Sequence, residues 1–127
     1  MRKNYTIDSF SFKNDQLYFS LNDNELNIQF KPAAQMIADS DDFAFVYLLD
    51  AGKEYQYLRF PPTMWAELKH ILQTKQNPML HVGTEVLELT NFYEELEMLV
   101  YNIEANYNYG SDFVQAVEDH FKTILAD

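Results

Sequence analysis

Phe43-Ala44-Phe45-Val46-Tyr47-Leu48-Leu49, then Asp50-Ala51-Gly52-Lys53, then Glu54-Tyr55-Gln56-Tyr57-Leu58-Arg59-Phe60 is the stretch from which the fold can be read. The seven successive apolar residues are too few to cross a bilayer, and their types suit a pleated surface. They predict a strand covered on both faces. Asp50 to Lys53 supplies turn chemistry, with Gly52 placed for a left-handed position after a type I turn. The return strand alternates, with Tyr55 and Tyr57 on one face and Leu58 and Phe60 on the other. The hairpin Phe43–Phe60 therefore forms the centre of a sheet.

Working toward the N-terminus, Pro32 suits the first position of a short helix that Ala33 to Ala38 continue, and Asp39-Ser40-Asp41-Asp42 closes it. Before it, Leu26, Ile28 and Phe30 alternate as a strand, as do Leu17, Phe19 and Leu21, with turns at Asn14-Asp15 and Asn22-Asp23-Asn24. Tyr5 to Phe12 reads as the first strand. Its apolar residues change parity between Ile7 and Phe10, which predicts a bulge or bend near Asp8-Ser9. The short separations favour an antiparallel meander.

Toward the C-terminus, Pro61-Pro62 opens a helix with Met64, Trp65, Leu68, Ile71 and Leu72 on one stripe. Met79 to Val82 and Val86-Leu87 suggest a small hairpin. Thr90 or Asn91 is placed to cap the longest helix, and Asn91 with Glu94 has the spacing of a capping box. Phe92, Leu96, Leu99, Val100, Ile103 and Tyr107 form its apolar face. Asn106 to Gly110 breaks it, and Ser111 can cap a last helix striped by Phe113, Val114, Val117, Phe121, Ile124 and Leu125. Clustered strands followed by clustered helices predict a single α+β domain over 1–127: an antiparallel sheet (meander plus central hairpin) with three main α-helices, two of them C-terminal, packed on one side.

Composition narrows the chemistry. The chain is 47% hydrophobic and 16% aromatic, enough for a dense core, and contains no cysteine, which removes disulfides and thiol chemistry. No stretch reads as a secretory signal or a membrane span, so a cytoplasmic location and no membrane partner are expected. The net charge of −11 argues against direct nucleic-acid binding. The charge is lopsided: residues 76–127 hold Glu85, Glu88, Glu94, Glu95, Glu97, Glu104, Asp112, Glu118, Asp119 and Asp127 against Lys122, and so carry −9 of it. Acidic helix faces serve solubility, and they also form docking faces for basic partners.

The three glycines (Gly52, Gly83, Gly110) all fall at predicted turns and cannot build a phosphate-cradling loop. Glu67 and His70 could offer two metal ligands from one helical turn, but a di-iron site needs a second such pair, which the sequence lacks. His81 reads as a strand or loop residue and His120 as a boundary histidine with no nucleophile beside it. Asp39-Ser40-Asp41-Asp42 lacks the glycine and terminal glutamate of an EF-hand loop. No catalytic residue, cofactor or metal is predicted. On the long helix, opposite its apolar stripe, Glu94, Glu97, Met98, Tyr101 and Glu104 align at helical spacing as candidates for a partner interface.

Several ordered runs resemble the YjbL-like family of low-GC Gram-positive bacteria, to which no function is assigned. They are Gln35-Met36-Ile37-Ala38-Asp39-Ser40-Asp41; Phe43-Ala44-Phe45 with Tyr47 and Leu49-Asp50; Gly52-Lys53 with Tyr55, Tyr57-Leu58 and Phe60; Leu87-Glu88-Leu89-Thr90 with Phe92, Glu95 and Leu96; and Asn108-Tyr109-Gly110 with Phe113-Val114 and Val117-Glu118. The resemblance implies a cytoplasmic bacterial domain and brings no catalytic residue or cofactor with it.

Three functions are consistent with these features. The first is a non-enzymatic protein–protein interaction or adaptor domain whose acidic C-terminal helices meet a protein with a basic surface. The second is a small-ligand-binding domain or an unrecognised hydrolase with an aromatic pocket near Tyr47, Tyr55, Tyr57 and Trp65. The third, ranked lowest, is an acidic DNA mimic. A homodimer through the long helix or an unpaired sheet edge stays open.

Overall fold

The structure is a computed structural model that describes residues 3–20, 31–52, 54–82 and 85–126. Eight strands and four α-helices are built from them. β5 (Ala44–Asp50) and β6 (Tyr55–Phe60) are the central hairpin, and six of the seven residues of β5 are buried. Phe45, Tyr47 and Leu49 enter the main core, whereas Ala44, Val46 and Leu48 form a smaller cluster with Ala33 and Tyr57 on the other face. This is the two-sided strand that the apolar run predicted. Gly52 has φ +96° at the turn, where the Asp50 carboxylate accepts its N–H at 2.9 Å.

The strands make two mixed sheets of four rather than one antiparallel sheet. Sheet A runs β1 (Lys3–Thr6), β6, β5, β4 (Lys31–Asp39), and sheet B runs β2 (Ser9–Lys13), β3 (Gln16–Ser20), β7 (Met79–Val82), β8 (Glu85–Glu88). Each sheet contains one parallel pair, β1 with β6 and β3 with β7. Parallel pairs join strands far apart in sequence, which spacing between neighbouring runs cannot reveal. The predicted first strand is in fact β1 and β2, which belong to different sheets. The chain changes sheet at Ile7-Asp8, where the parity of its apolar residues changes. The small hairpin of β7 and β8 is present, in antiparallel register. The predicted strand at Leu26, Ile28 and Phe30 and the turn at Asn22-Asp23-Asn24 lie outside the described residues.

The helix expected after Pro32 is instead β4. It pairs with β5 from Lys31 to Asp39, with a register shift between Pro32 and Met36 and a left-handed Ala34 at φ +58°. Two turns of isolated helix gain too few hydrogen bonds to offset nucleation, whereas a strand beside β5 is satisfied along its length. At the bulge, the Met36 amide donates to Glu95 Oε1 at 3.1 Å, and so joins β4 to helix α2.

Helix α1 (Trp65–Thr74) follows a 3₁₀ turn at Pro62–Met64, and Met64, Trp65, Leu68, Ile71 and Leu72 are all buried as their spacing requires. Helix α2 (Phe92–Ile103) buries Phe92, Leu96, Leu99, Val100 and Ile103. It stops before Tyr107, which is exposed in a 3₁₀ turn rather than on the buried stripe. The predicted capping box is not formed. Asn91 is left-handed at φ +62° and its amide donates to Ala34 O, while the Asn77 side chain, remote in sequence, accepts the Tyr93 N–H at 3.0 Å. Ser111 begins helix α3 (Ser111–His120) without a capping hydrogen bond; Gly110 is the residue at its N-cap. A break at Phe121 separates α3 from the short α4 (Lys122–Leu125).

Both sheets and the helices share one core. Phe19 of sheet B meets Phe60 of sheet A and Phe92 of α2, and Tyr47 stacks on Phe92 with ring centroids 5.4 Å apart. The sole tryptophan, Trp65, is fully buried among Phe45, Phe113 and Phe121, and its indole N–H donates to Phe60 O at 3.1 Å.

Candidate docking face and sheet-face cavity

Helix α2 buries one stripe against the core, so residues at 94, 97, 98, 101 and 104 are carried to the opposite side by the 3.6-residue period. Glu94, Met98, Tyr101 and Glu104 are exposed and Glu97 is half-buried, with Met98 and Tyr101 open to 47% and 45%. Glu94, Glu97, Met98 and Tyr101 therefore share one face of α2, and Glu104 follows as its C-cap, beside Glu118 and Lys122. Met98 and Tyr101 stand on a helix surface whose other exposed residues are Glu94 and Asn102.

The surroundings of this face add shape. A groove of about 370 Å³ runs between α2, the end of α1 and α4, lined by Leu72, Gln73, Lys75, Glu97, Tyr101 and Ile124 among others. The Tyr101 hydroxyl donates to Ile124 O at 3.1 Å, so the ring is fixed at the groove wall. Among the described residues the ion pairs are those of Arg59 with Asp39 and Asp42. Glu94, Glu97 and Glu104 take part in none, although Lys75 lines the same groove as Glu97. Glu118 has a local role: it accepts the Ala105 N–H at 2.8 Å where α2 ends.

A second concavity, of about 380 Å³, opens on the outer face of sheet A. Val46 and Ile37 form an apolar floor, and Asn4, Asp39, Ser40, Tyr57 and Arg59 converge on it. Arg59 reaches this face because β6 alternates, sending Leu58 and Phe60 into the core and Tyr57 and Arg59 out. Its Nη2 donates to Asp39 Oδ2 at 2.6 Å and Asp42 Oδ2 at 3.1 Å. The Arg59 hydrogen bond holds the Asp39 carboxyl below the usual carboxylate range. The Asp39–Asp42 run thus spends two of its carboxylates on a guanidinium. Its clustering was visible in the sequence; its partner, from another strand, was not.

The aromatic pocket candidates do not come together. Tyr47 and Trp65 are fully buried in the main core, Tyr55 is exposed on sheet A, and Tyr57 lines the cavity beside Arg59. Alternation along β5 and β6 separates them, since Tyr47 points inward where Tyr55 and Tyr57 point outward. The Tyr47 hydroxyl donates to Thr90 O at 2.6 Å, and burial pushes its phenol above the ordinary range.

The histidines are occupied by rings. His70 packs edge-on against Phe12, His81 stacks on Tyr18, and His120 meets the edge of Trp65, with its Nδ1 2.9 Å from Ala116 O. Burial pushes the Glu67 carboxyl up. Among the described residues no three His, Asp or Glu side chains converge in a metal-binding group. No helix among them is long and apolar enough to cross a membrane.

Comparison with known sequences gives the family of the chain. The profile of a family of unknown function, UPF0738, matches residues 5–121. The chain belongs to the UPF0738 family. It is 68% identical over 127 residues to a UPF0738 protein of Lysinibacillus sphaericus, covering all of both chains. The UPF0738 protein YjbL of Bacillus subtilis is 34% identical over 121 residues, 95% of this chain and 99% of that one. A UPF0738 protein of Staphylococcus aureus is 39% identical over 115 residues, 91% of this chain and 94% of its own. The resemblance read from the dispersed runs is thereby established, and UPF0738 membership extends it to most of the first thirty residues, where those runs were absent. No solved structure matches the chain.

Proposed function

We propose that the protein is a non-enzymatic cytoplasmic interaction domain that docks a basic protein surface on the exposed face of α2. The observation that carries this reading is the joint exposure of Met98 and Tyr101 between Glu94, Glu97 and Glu104, carboxylates that join no ion pair among the described residues. Unpaired carboxylates steer a cationic partner from a distance, and the thioether and phenol supply desolvated contact once it arrives. The groove beside Tyr101 offers a place for one apolar side chain of that partner.

The test is affinity capture from lysate of a UPF0738-bearing bacterium, followed by identification of what is retained. A specific basic protein should be recovered at low salt, released at high salt, and not recovered by the Glu94→Lys, Glu97→Lys, Glu104→Lys triple variant. Recovery unaffected by the triple reversal would remove this face from consideration.

A second reading, small-ligand binding, is favoured by the cavity on sheet A, whose volume of about 380 Å³ lies in the range of ligand sites. A thermal-shift screen of small polar metabolites tests it. Hits abolished by Tyr57→Ala and Asn4→Ala support it, and hits indifferent to both dismiss it.

A further inference from the structure

Among the described residues, the edge of strand β2 away from β3 is unpaired, an arrangement that neither docking reading uses. We propose that a second copy of this chain pairs with it, β2 against β2 in antiparallel register about Ser11, joining two B sheets into one.

Backbone groups along one edge of β2 have no partner among the described strands. β2 and β3 are joined by the two residues Asn14 and Asp15, both at positive φ (53° and 66°), the geometry of a type I′ turn. The residues flanking such a turn, Lys13 and Gln16, exchange hydrogen bonds, and the pattern alternates from there. Ser9, Ser11 and Lys13 therefore direct their N–H and C=O groups to β3, while Phe10 and Phe12 direct theirs to the opposite edge. Before β2, the chain is paired with β6 as far as Ile7, whose amide donates to Arg59 O at 2.9 Å. Strand β6 stops at Phe60 and the chain leaves at Pro61-Pro62, so no described strand continues the line beside β2.

The side chains bear the same mark. Phe10 and Phe12 lie opposite Phe19 and Leu17, on the core side of sheet B, yet they are 40% and 48% exposed whereas Phe19 and Leu17 are buried. They are core-facing residues at the end of sheet B, with no described strand beyond them. Their rings contact each other at 5.9 Å, and Phe12 rests on His70.

A second β2 satisfies both deficits at once. With Ser11 opposite Ser11 of the other copy, Phe10 lies opposite Phe12 and Phe12 opposite Phe10. Both are positions whose backbone groups point outward, so two reciprocal pairs of hydrogen bonds can form, with the four rings adjacent on one face. Shifting the centre to Phe10 sets Phe12 against Asp8, and shifting it to Phe12 sets Phe10 against Asn14 in the turn. Only the Ser11 register matches aromatic to aromatic throughout. Charge favours this route over the long helix: a copy approaching β2 meets Ser-Phe-Ser-Phe, with Lys13 opposite Ser9, whereas two α2 faces would oppose carboxylate to carboxylate. Five residues of edge cover far less than the roughly 800 Å² per partner of a stable interface, so the dimer is weak and forms as concentration rises.

The chain has no cysteine, so a single introduced thiol reports the register directly. Ser11 with its copy is a non-hydrogen-bonded pair, whose Cα atoms sit about 4.5 Å apart, within reach of a disulfide. Under mild oxidation, purified Ser11→Cys should form a covalent dimer at least about tenfold faster than Thr123→Cys, an exposed control on α4. Sedimentation of the wild-type chain should show a monomer becoming a dimer with rising concentration. The Phe10→Lys, Phe12→Lys variant should stay monomeric with unchanged circular dichroism and Trp65 emission. A wild-type monomer up to about 500 µM, cross-linking no faster at position 11 than at 123, or a dimer that survives both lysines would each overturn the proposal.

Discussion

Arg59 Nη2 lies 2.6 Å from Asp39 Oδ2, so a guanidinium from β6 holds the far end of β4 across the intervening strand β5. Asp42 joins them from the turn that follows, and the hairpin of β4 and β5 is closed by charge as well as by backbone pairing.

This contact has a pH signature. The Asp39 carboxyl is held below its unfolded value near 3.9, so its contribution to stability is present above that value and is lost as pH falls through the folded value. Because the pair is partly solvated, its contribution is discounted to about 0.5–1 kcal/mol. Urea denaturation between pH 7 and pH 2 should show Asp39→Asn less stable at neutral pH, with a shallower acid slope than the wild type.

Tyr47 titrates at the opposite end of the scale. Its folded phenol is raised by burial above the unfolded value near 10, so the stability it contributes is present below that pH and is lost as pH climbs toward the folded value. Tyr47→Phe also deletes the hydrogen bond to Thr90 O, which costs about 1 kcal/mol at neutral pH. Denaturant midpoints at pH 7 and pH 11 should show the variant weaker at the first and the gap between the two proteins narrower at the second.

The aromatic junction between the sheets and α2 rests on Phe92, fully buried against Phe19, Phe60 and Tyr47. Phe92→Ala should destabilise by about 3–5 kcal/mol through lost contacts and the space left behind. With Trp65 the sole tryptophan and fully buried, its emission should be blue-shifted in the native protein and follow the unfolding transition directly. A loss below about 1 kcal/mol would mean that the three elements do not share this centre.

At the end of α2, Ala105 adopts φ +56° while its N–H is held by Glu118. An L-residue in this region costs about 1–2 kcal/mol, partly offset in glycine by the greater freedom of its unfolded chain. Ala105→Gly should therefore stabilise by about 0.5–1 kcal/mol, read as a higher denaturation midpoint with an unchanged slope. A destabilised variant would contradict the left-handed assignment.

Much of the local structure was legible because it depends on residues near one another in sequence. The apolar run before Asp50 predicts a doubly covered strand, the stripes of α1 and α2 predict which side chains are buried, and the break in parity after Ile7 marks where the chain leaves one sheet for the other. Glu94, Glu97, Met98 and Tyr101 share a face of α2 for the same reason, since helical period alone carries them there. The helix expected after Pro32 failed because intrinsic preference over six or seven residues is weak beside a waiting edge of β5.

What the tertiary structure decided is everything that joins distant segments. The parallel pairs β1 with β6 and β3 with β7, the capping of α2 by Asn77 rather than Asn91, the hold of Glu95 on the Met36 amide, and the partnership of Arg59 with Asp39 and Asp42 all link residues that no local pattern relates. Sequence by itself determined the central hairpin, the buried stripes of α1 and α2 and the acidic bias of the C-terminal part, because those follow from period and composition. Strand order, the split into two sheets and the separation of Tyr47 and Trp65 from Tyr55 and Tyr57 came only with folding, since long-range pairing is selected by the energy of the whole core.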